Sequence, residues 1–158
     1  MTTLFDLYGL PDDFPGLGAH AQEPDTNRRC DALQTALGAA VNDQRFIPYL
    51  QRHEFEALVL ASLPALGELL DAEDDLAGLA ALRREVDALT PEDVNDGRNT
   101  APSKRLLAHI PGYSKTLHGP LVTSATGLIA LRRTCPRFNA WLDQLEAQCR
   151  APRIGSAN

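Results

Sequence analysis

The chain has 158 residues, 44% apolar and 23% charged, which suits one ordinary domain whose core needs neither disulfide nor metal staples. Its net charge of -6 gives it no general attraction for nucleic acid, so any such contact must come from a local basic patch working against the overall field. Cys30, Cys135 and Cys149 match neither a zinc spacing nor a disulfide framework and read as reduced thiols of a cytoplasmic protein. No early segment has the make-up of a signal peptide, and no apolar run approaches the length of a membrane span.

The opening run Leu4-Phe5-Asp6-Leu7-Tyr8 predicts a strand over residues 3 to 8, ended by Gly9. A loop rich in Gly, Pro and Asp follows to residue 25. Cys30, Leu33, Leu37, Ala40 and Val41 recur at helical spacing, so a helix is expected from Thr26 to about Gln44, capped by Asp25 or Thr26. "RFIPYLQ", residues 45 to 51, predicts a second strand, at a sheet edge or beginning after Pro48. Strand, helix and strand make a βαβ unit, which implies a parallel pair and a right-handed crossover.

The rest is expected to be helical. "HEFEALVLASLPALGELL" predicts a helix that Pro64 kinks or ends. The acidic run "DAEDD", residues 71 to 75, reads as a solvated helix start. Leu76, Leu79, Leu82, Val86 and Leu89 mark the inward face of the helix over 76 to 89. "TPEDVNDGRNTAPSKR" predicts a long loop feeding a helix near Pro102, and "HIPGYSKTLHGP" a second irregular stretch. Two helices, 121 to 133 and 136 to 149, close the chain, the last with Phe138, Trp141, Leu142 and Leu145 inward and Pro136 in its first turn. The expected organisation is one α/β domain over 1 to 150, with a βαβ portion (1 to 52), a helical portion (53 to 150) and a flexible tail (151 to 158).

Four stretches carry candidate chemistry. Asp6 stands at the carboxyl end of a predicted parallel strand, where open α/β sheets bind ligands and where a carboxylate could hold magnesium. The other reading is a solvent-facing or turn-capping Asp. "HEFE" follows the second strand: His53 and Glu56 share a helical face, and Glu54 points about 100° away. It either turns one or two carboxylates towards Asp6, with His53 as a general base or orienting group, or is an ordinary acidic first turn. It is not a zinc-protease motif, since no His stands four residues after His53. In "NTAPSKR", Thr100 or Asn99 caps a helix whose start gathers Ser103, Lys104 and Arg105, a place for phosphate or a surface cap paired with an Asp. In "PGYSKTLHGP", Tyr113, Lys115 and His118 lie between helix breakers and could meet phosphate or the acidic cluster. Together Asp6, Glu54 or Glu56, Lys104 or Lys115, and His118 would make a metal-dependent phosphodiester site if the fold brings them together.

The motifs "TTLFDLYGLPDDFPG", "RFIPYLQRHEFEALVL", "TPEDVNDGRNTAPSKRLLAHIPGYSKTLHGP" and "GLIALRRTCPRFNAWLDQLE" occur in an order that closely resembles the RloG-like bacterial family 4276 of domains of unknown function. The resemblance covers Thr2 to about Glu146. It implies a Toprim-like fold with a short, mostly parallel sheet and magnesium-dependent nucleic-acid cleavage, with partner ATPases in what look like phage-defence loci. It makes Asp6, Glu54 and Glu56 the metal ligands. It places Glu54, Glu56, Lys104 and His118 in catalysis and Ser103, Lys104 and Arg105 on phosphate; the reading of the residues adds His53 to catalysis and Lys115 to phosphate. The chain departs from the family pattern in two ways. Tyr8 stands where a second acid of an Asp-x-Asp motif belongs, and the usual first strand with its "VEG"-like Glu is absent. Residues 1 to 8 are therefore expected to be an internal strand with an exposed edge, open to homodimerisation. The competing expectation is a non-catalytic module that dimerises or regulates a partner ATPase.

Overall fold

The Asp25 carboxylate accepts the backbone N–H groups of Asn27 and Arg28, and helix α1 (Thr26–Val41) begins there, as its capping signal predicts. It ends three residues before Gln44 because Asn42 turns left-handed, with a φ of 51°. The computed structural model describes residues 1–94 and 97–150, the side chain of Arg98 excepted. The tail expected over 151 to 158 lies outside the described residues, as does the middle of the 90-to-105 loop.

The βαβ unit forms, with strands far shorter than expected. β1 (Phe5–Asp6) pairs in parallel with β2 (Leu50–Gln51), Phe5 opposite Leu50 and Asp6 opposite Gln51. A separate parallel bridge joins Thr2 to Ile47. Residues 7 to 9, read as the strand's end, instead coil into a 3-10 turn that buries Leu7. Pro48 falls between the bridge and β2, so the reading of a strand beginning after the proline holds. Leu50 faces α1 and is fully buried with Cys30 and Leu33. Tyr49 and Gln51 alternate to the other face, where the Tyr49 ring stacks on Trp141 with centroids 4.6 Å apart. Burial on both faces is the ordinary condition of a parallel strand. β1 does not share it, since Leu4 and Phe5 stay 38% and 45% exposed.

The remainder is helical, with shorter pieces than the sequence suggests. The helix after "HEFE" is two, α2 (Glu56–Leu60) and α3 (Leu63–Gly67), separated at Ser62 just before Pro64. α4 (Glu73–Val86) starts earlier than expected; Leu79, Leu82 and Val86 face inward, but Leu76 and Leu89 are exposed. The acidic start of α4 is not wholly solvated, because Asp75 is buried and accepts the Gly112 N–H at 3.0 Å. α5 (Pro102–His109) begins at its proline. Of the stretch read as irregular, residues 110 to 114 stay so, but the rest from Lys115 onward becomes α6 (Lys115–Thr126), which carries Pro120 within it. Gly127, with a φ of 78°, separates it from α7 (Leu128–Thr134), and α8 (Pro136–Arg150) follows. The main core joins α2 through α6 around Val59, Leu66, Leu82, Leu106, Ile110 and Val122. Each such side chain contributes about 1.5–3 kcal/mol by leaving water. The fold is thus mostly helical around a two-stranded parallel sheet.

Candidate functional site

β1 delivers Asp6 to the turn that follows β2. Its Oδ1 accepts the Phe55 N–H at 2.9 Å, and the Tyr8 N–H reaches the His53 carbonyl at 3.2 Å. The opening carboxylate therefore sits on the "HEFE" turn. Burial pushes the Asp6 carboxyl above its ordinary range; the Phe55 N–H pulls it back, and the neighbouring charges of Glu56 and Glu54 raise it further. The three acids share one neighbourhood at the carboxyl end of the sheet.

Each acid also has a structural bond. Glu54 Oε2 accepts the Ser103 N–H at 3.0 Å, so it caps α5 from a distant part of the chain. Glu56 is buried in the first turn of α2 and pairs with the Lys115 ammonium at 3.2 Å. Lys115 itself is half exposed at the start of α6. The structure thus brings Asp6, Glu54, Glu56, Lys115 and the Ser103 backbone together.

The other candidates lie differently. The caps expected from Thr100 or Asn99 are not used, because α5 takes Ala101 as its cap residue and borrows the Glu54 carboxylate instead. Ser103 is buried with its N–H committed to Glu54. Lys104 is exposed on α5. Arg105 turns away, donating from Nε to the Thr100 carbonyl and pairing with Glu85 of α4. His118 is helical rather than in a loop; its Nδ1 accepts the Ser114 N–H at 2.9 Å, closing the first turn of α6. His53 is 1% exposed in a left-handed backbone conformation, with φ 68°. Burial, and then Arg52, push its imidazole down to about 4, so it is neutral at pH 7.

The sequence reading has Tyr113 meeting phosphate or the acidic cluster from a loop. The residue is 4% exposed, and among the described residues its hydroxyl has no hydrogen-bond partner. Gly119 lies against the same place: a Cβ there would stand 3.3 Å from the Phe55 ring and 3.9 Å from the Tyr113 oxygen. The phenol therefore faces the residue between Glu54 and Glu56. Burial, then Glu56 and Glu54, push it above its ordinary range. The only sequence signal was a Tyr between Gly112 and Lys115.

The donor set suits a hard cation in kind, since magnesium takes one or two carboxylates and keeps several waters. Among the described residues, no three His, Cys, Asp or Glu side chains are already drawn together as a metal cage. Water and substrate oxygens would have to complete any coordination here.

Fold and site together define a mostly helical protein whose parallel βαβ unit presents an acidic turn at the carboxyl end of its sheet. The chain belongs to the family described as domain of unknown function DUF4276, whose profile matches residues 1–146. No curated protein and no solved structure is detectably similar to it. Among the described residues no helix is long and apolar enough to cross a membrane.

Proposed function

We propose that this protein is an RloG-like, Toprim-like enzyme of bacterial anti-phage defence that cleaves nucleic-acid phosphodiesters with magnesium. One observation carries the reading: the Asp6 carboxylate is seated on the Phe55 N–H, between Glu54 and Glu56. Three carboxylates against the single ammonium of Lys115 leave an excess of negative charge at the carboxyl end of a parallel strand. Asp6, Glu54 and Glu56 would hold the cation through the oxygens not already bonded to Phe55, Ser103 and Lys115. Bound magnesium supplies a Lewis acid for the phosphoryl oxygen and a more acidic water. Lys115, half exposed at the mouth of the acid turn, is placed to leave Glu56 for a phosphate, with the exposed Lys104 as a second basic contact. His118 keeps Nε2 for a substrate oxygen while Nδ1 holds its helix start. His53, neutral and buried, orients the turn through its backbone.

Asp6→Asn tests the site cleanly, because the amide oxygen still accepts the Phe55 N–H while the charge is lost. Wild-type protein should cut plasmid DNA or RNA in magnesium, and Asp6→Asn combined with Glu56→Gln should abolish the cutting. Activity that survives both changes removes the assigned site.

The second reading is a non-catalytic module that pairs with a copy of itself or regulates a partner ATPase. The half-exposed Phe5 of β1 and Leu4 just before it favour it, with a cleft of about 560 Å³ alongside. Light scattering after size exclusion separates the two: a monomer that cuts nucleic acid sustains the enzyme, and an inert dimer sustains the module.

A further inference from the structure

The two edges of the sheet are finished differently. On the β2 side the Leu50 N–H points away from β1 and is taken by Gln34 Oε1 at 3.0 Å, so a side chain of α1 closes that edge. On the β1 side nothing does the same. Phe5 turns its N–H inward to the Tyr49 carbonyl. Bonding alternates from residue to residue along an extended chain, so the Leu4 N–H and carbonyl and the Asp6 N–H turn to the outer side. These groups have no hydrogen-bond partner among the described residues. Such edges are usually blunted by Lys, Pro or a bulge. This one instead exposes Phe5 and borders the cleft walled by Leu4, Phe5, Leu10, Pro11 and Phe14. Charge then selects the occupant. The cleft lining holds Asp6 and no Lys or Arg, and the exposed Asp12 and Asp13 stand between its walls Pro11 and Phe14. A second copy of the chain would bring two such acidic edges together, each on a chain of net charge -6.

We propose that the outer edge of β1 is a docking site for an extended, apolar and basic segment of a partner protein. The segment adds as a third strand, bonding through its backbone to Leu4 and Asp6. An apolar side chain of the segment enters the cleft beside Phe5, and a Lys or Arg of the segment meets the charges of Asp6, Asp12 and Asp13. The backbone bonds hold the segment, the cleft selects its apolar residue, and the acids reject both acidic segments and a second copy. This gives the partner in the module reading above its chemistry, and it rests on that reading rather than on the magnesium one.

The experiment measures fluorescence anisotropy of short labelled peptides, alternating lysine with valine and phenylalanine, on the full chain. The plain peptide is compared with one carrying glutamate for lysine and with one N-methylated along its backbone. The plain peptide should bind, and the other two should bind at least roughly 10-fold more weakly. Phe5→Lys should weaken the plain peptide roughly 10-fold, because the cleft loses a wall and gains a like charge. Asp12→Lys combined with Asp13→Lys changes only exposed residues. It should weaken the plain peptide by about 10-fold and strengthen the glutamate one. Equal binding of the glutamate peptide overturns the proposal by removing the charge selection, and equal binding of the N-methylated peptide overturns it by removing the strand pairing. Should Phe5→Lys fail to fold, the Asp12 and Asp13 variant decides: undiminished binding of the plain peptide there overturns the proposal. A wild-type dimer that Phe5→Lys dissociates overturns it in favour of a second copy, and the module reading then stands. Binding of none of the peptides also overturns it, and leaves the module reading to the light-scattering result alone.

Discussion

Asp6 is worth more to this fold as an acceptor than as a charge. Its Oδ1 closes the "HEFE" turn through Phe55, but its ionised form is disfavoured by burial and by Glu54 and Glu56. The folded carboxyl titrates above the unfolded one, so its stabilising effect is full at low pH and fades as pH rises through the folded value. Asp6→Asn should therefore melt higher than wild type at pH 7, with the gain vanishing as the solution is acidified. Asp6→Ala should melt lower, since the Phe55 N–H loses its acceptor at a cost of about 1–3 kcal/mol. His53 works in the opposite sense. The unfolded imidazole takes up a proton near its model value of 6.5, and the folded one only near about 4. Stability should therefore fall as pH drops from 6.5 to 4, by at most ~1.4 kcal/mol per pH unit. Denaturant midpoints across that window, compared with His53→Ala, isolate the contribution.

The helices are tied by acceptors that no local pattern announces. Glu54 caps α5 from residues 49 positions away in sequence, and Glu92 caps α8 by accepting the Arg137 and Phe138 N–H groups at 2.8 and 3.1 Å. Asp75 does the same for the Gly112 N–H. The chain's acids are therefore used repeatedly as backbone acceptors, and "DAEDD" is partly such a tie. Helix packing gives a sharper case. Gly78 lies in α4 where α5 crosses it, and a Cβ there would stand 1.7 Å from the His109 carbonyl oxygen. Gly→Ala within a helix ordinarily stabilises by about 0.5–1 kcal/mol. At Gly78 the clash is with backbone, so the sign should reverse: Gly78→Ala should cost about 1–3 kcal/mol or more by chemical denaturation.

Across the whole molecule, burial separates the cysteines. Cys30 and Cys135 lie in two different clusters around β2, and burial pushes their thiols up to about 11 and about 12. Cys149 is exposed on α8. Folded protein at pH 8 should take one alkylating group from iodoacetamide, on Cys149, and denatured protein three, by mass spectrometry. Modification of Cys30 or Cys135 without denaturant would show that the β2 core opens. The N-terminus is held to the same core, for Trp141 Nε1 donates to Thr2 Oγ1 at 2.8 Å and Met1 bonds the Arg45 carbonyl. The exposed Leu4 and Phe5 lie between these anchors and the Asp6 turn.

The sequence by itself determined the parallel βαβ opening, the Asp25 cap and the break near Pro64, because caps, breakers and periodicity act over a few residues. It also marked Asp6 and "HEFE" as neighbours in principle, since both follow strands of one unit. Tertiary structure alone decided the rest. Strand lengths shrank because only Leu50 and its neighbours are covered on both faces. "KTLHGP" became helix because α6 packs on α2 and α3, overriding its Gly and Pro. Leu76 came out exposed because α4 follows the face that α5 covers rather than its full apolar stripe, and Leu89 because it lies beyond the helix end at Val86. Glu54 met Ser103, and Tyr113 met the acid turn, through contacts about fifty residues apart; such pairings depend on how helices cross, and no local run of residues encodes that.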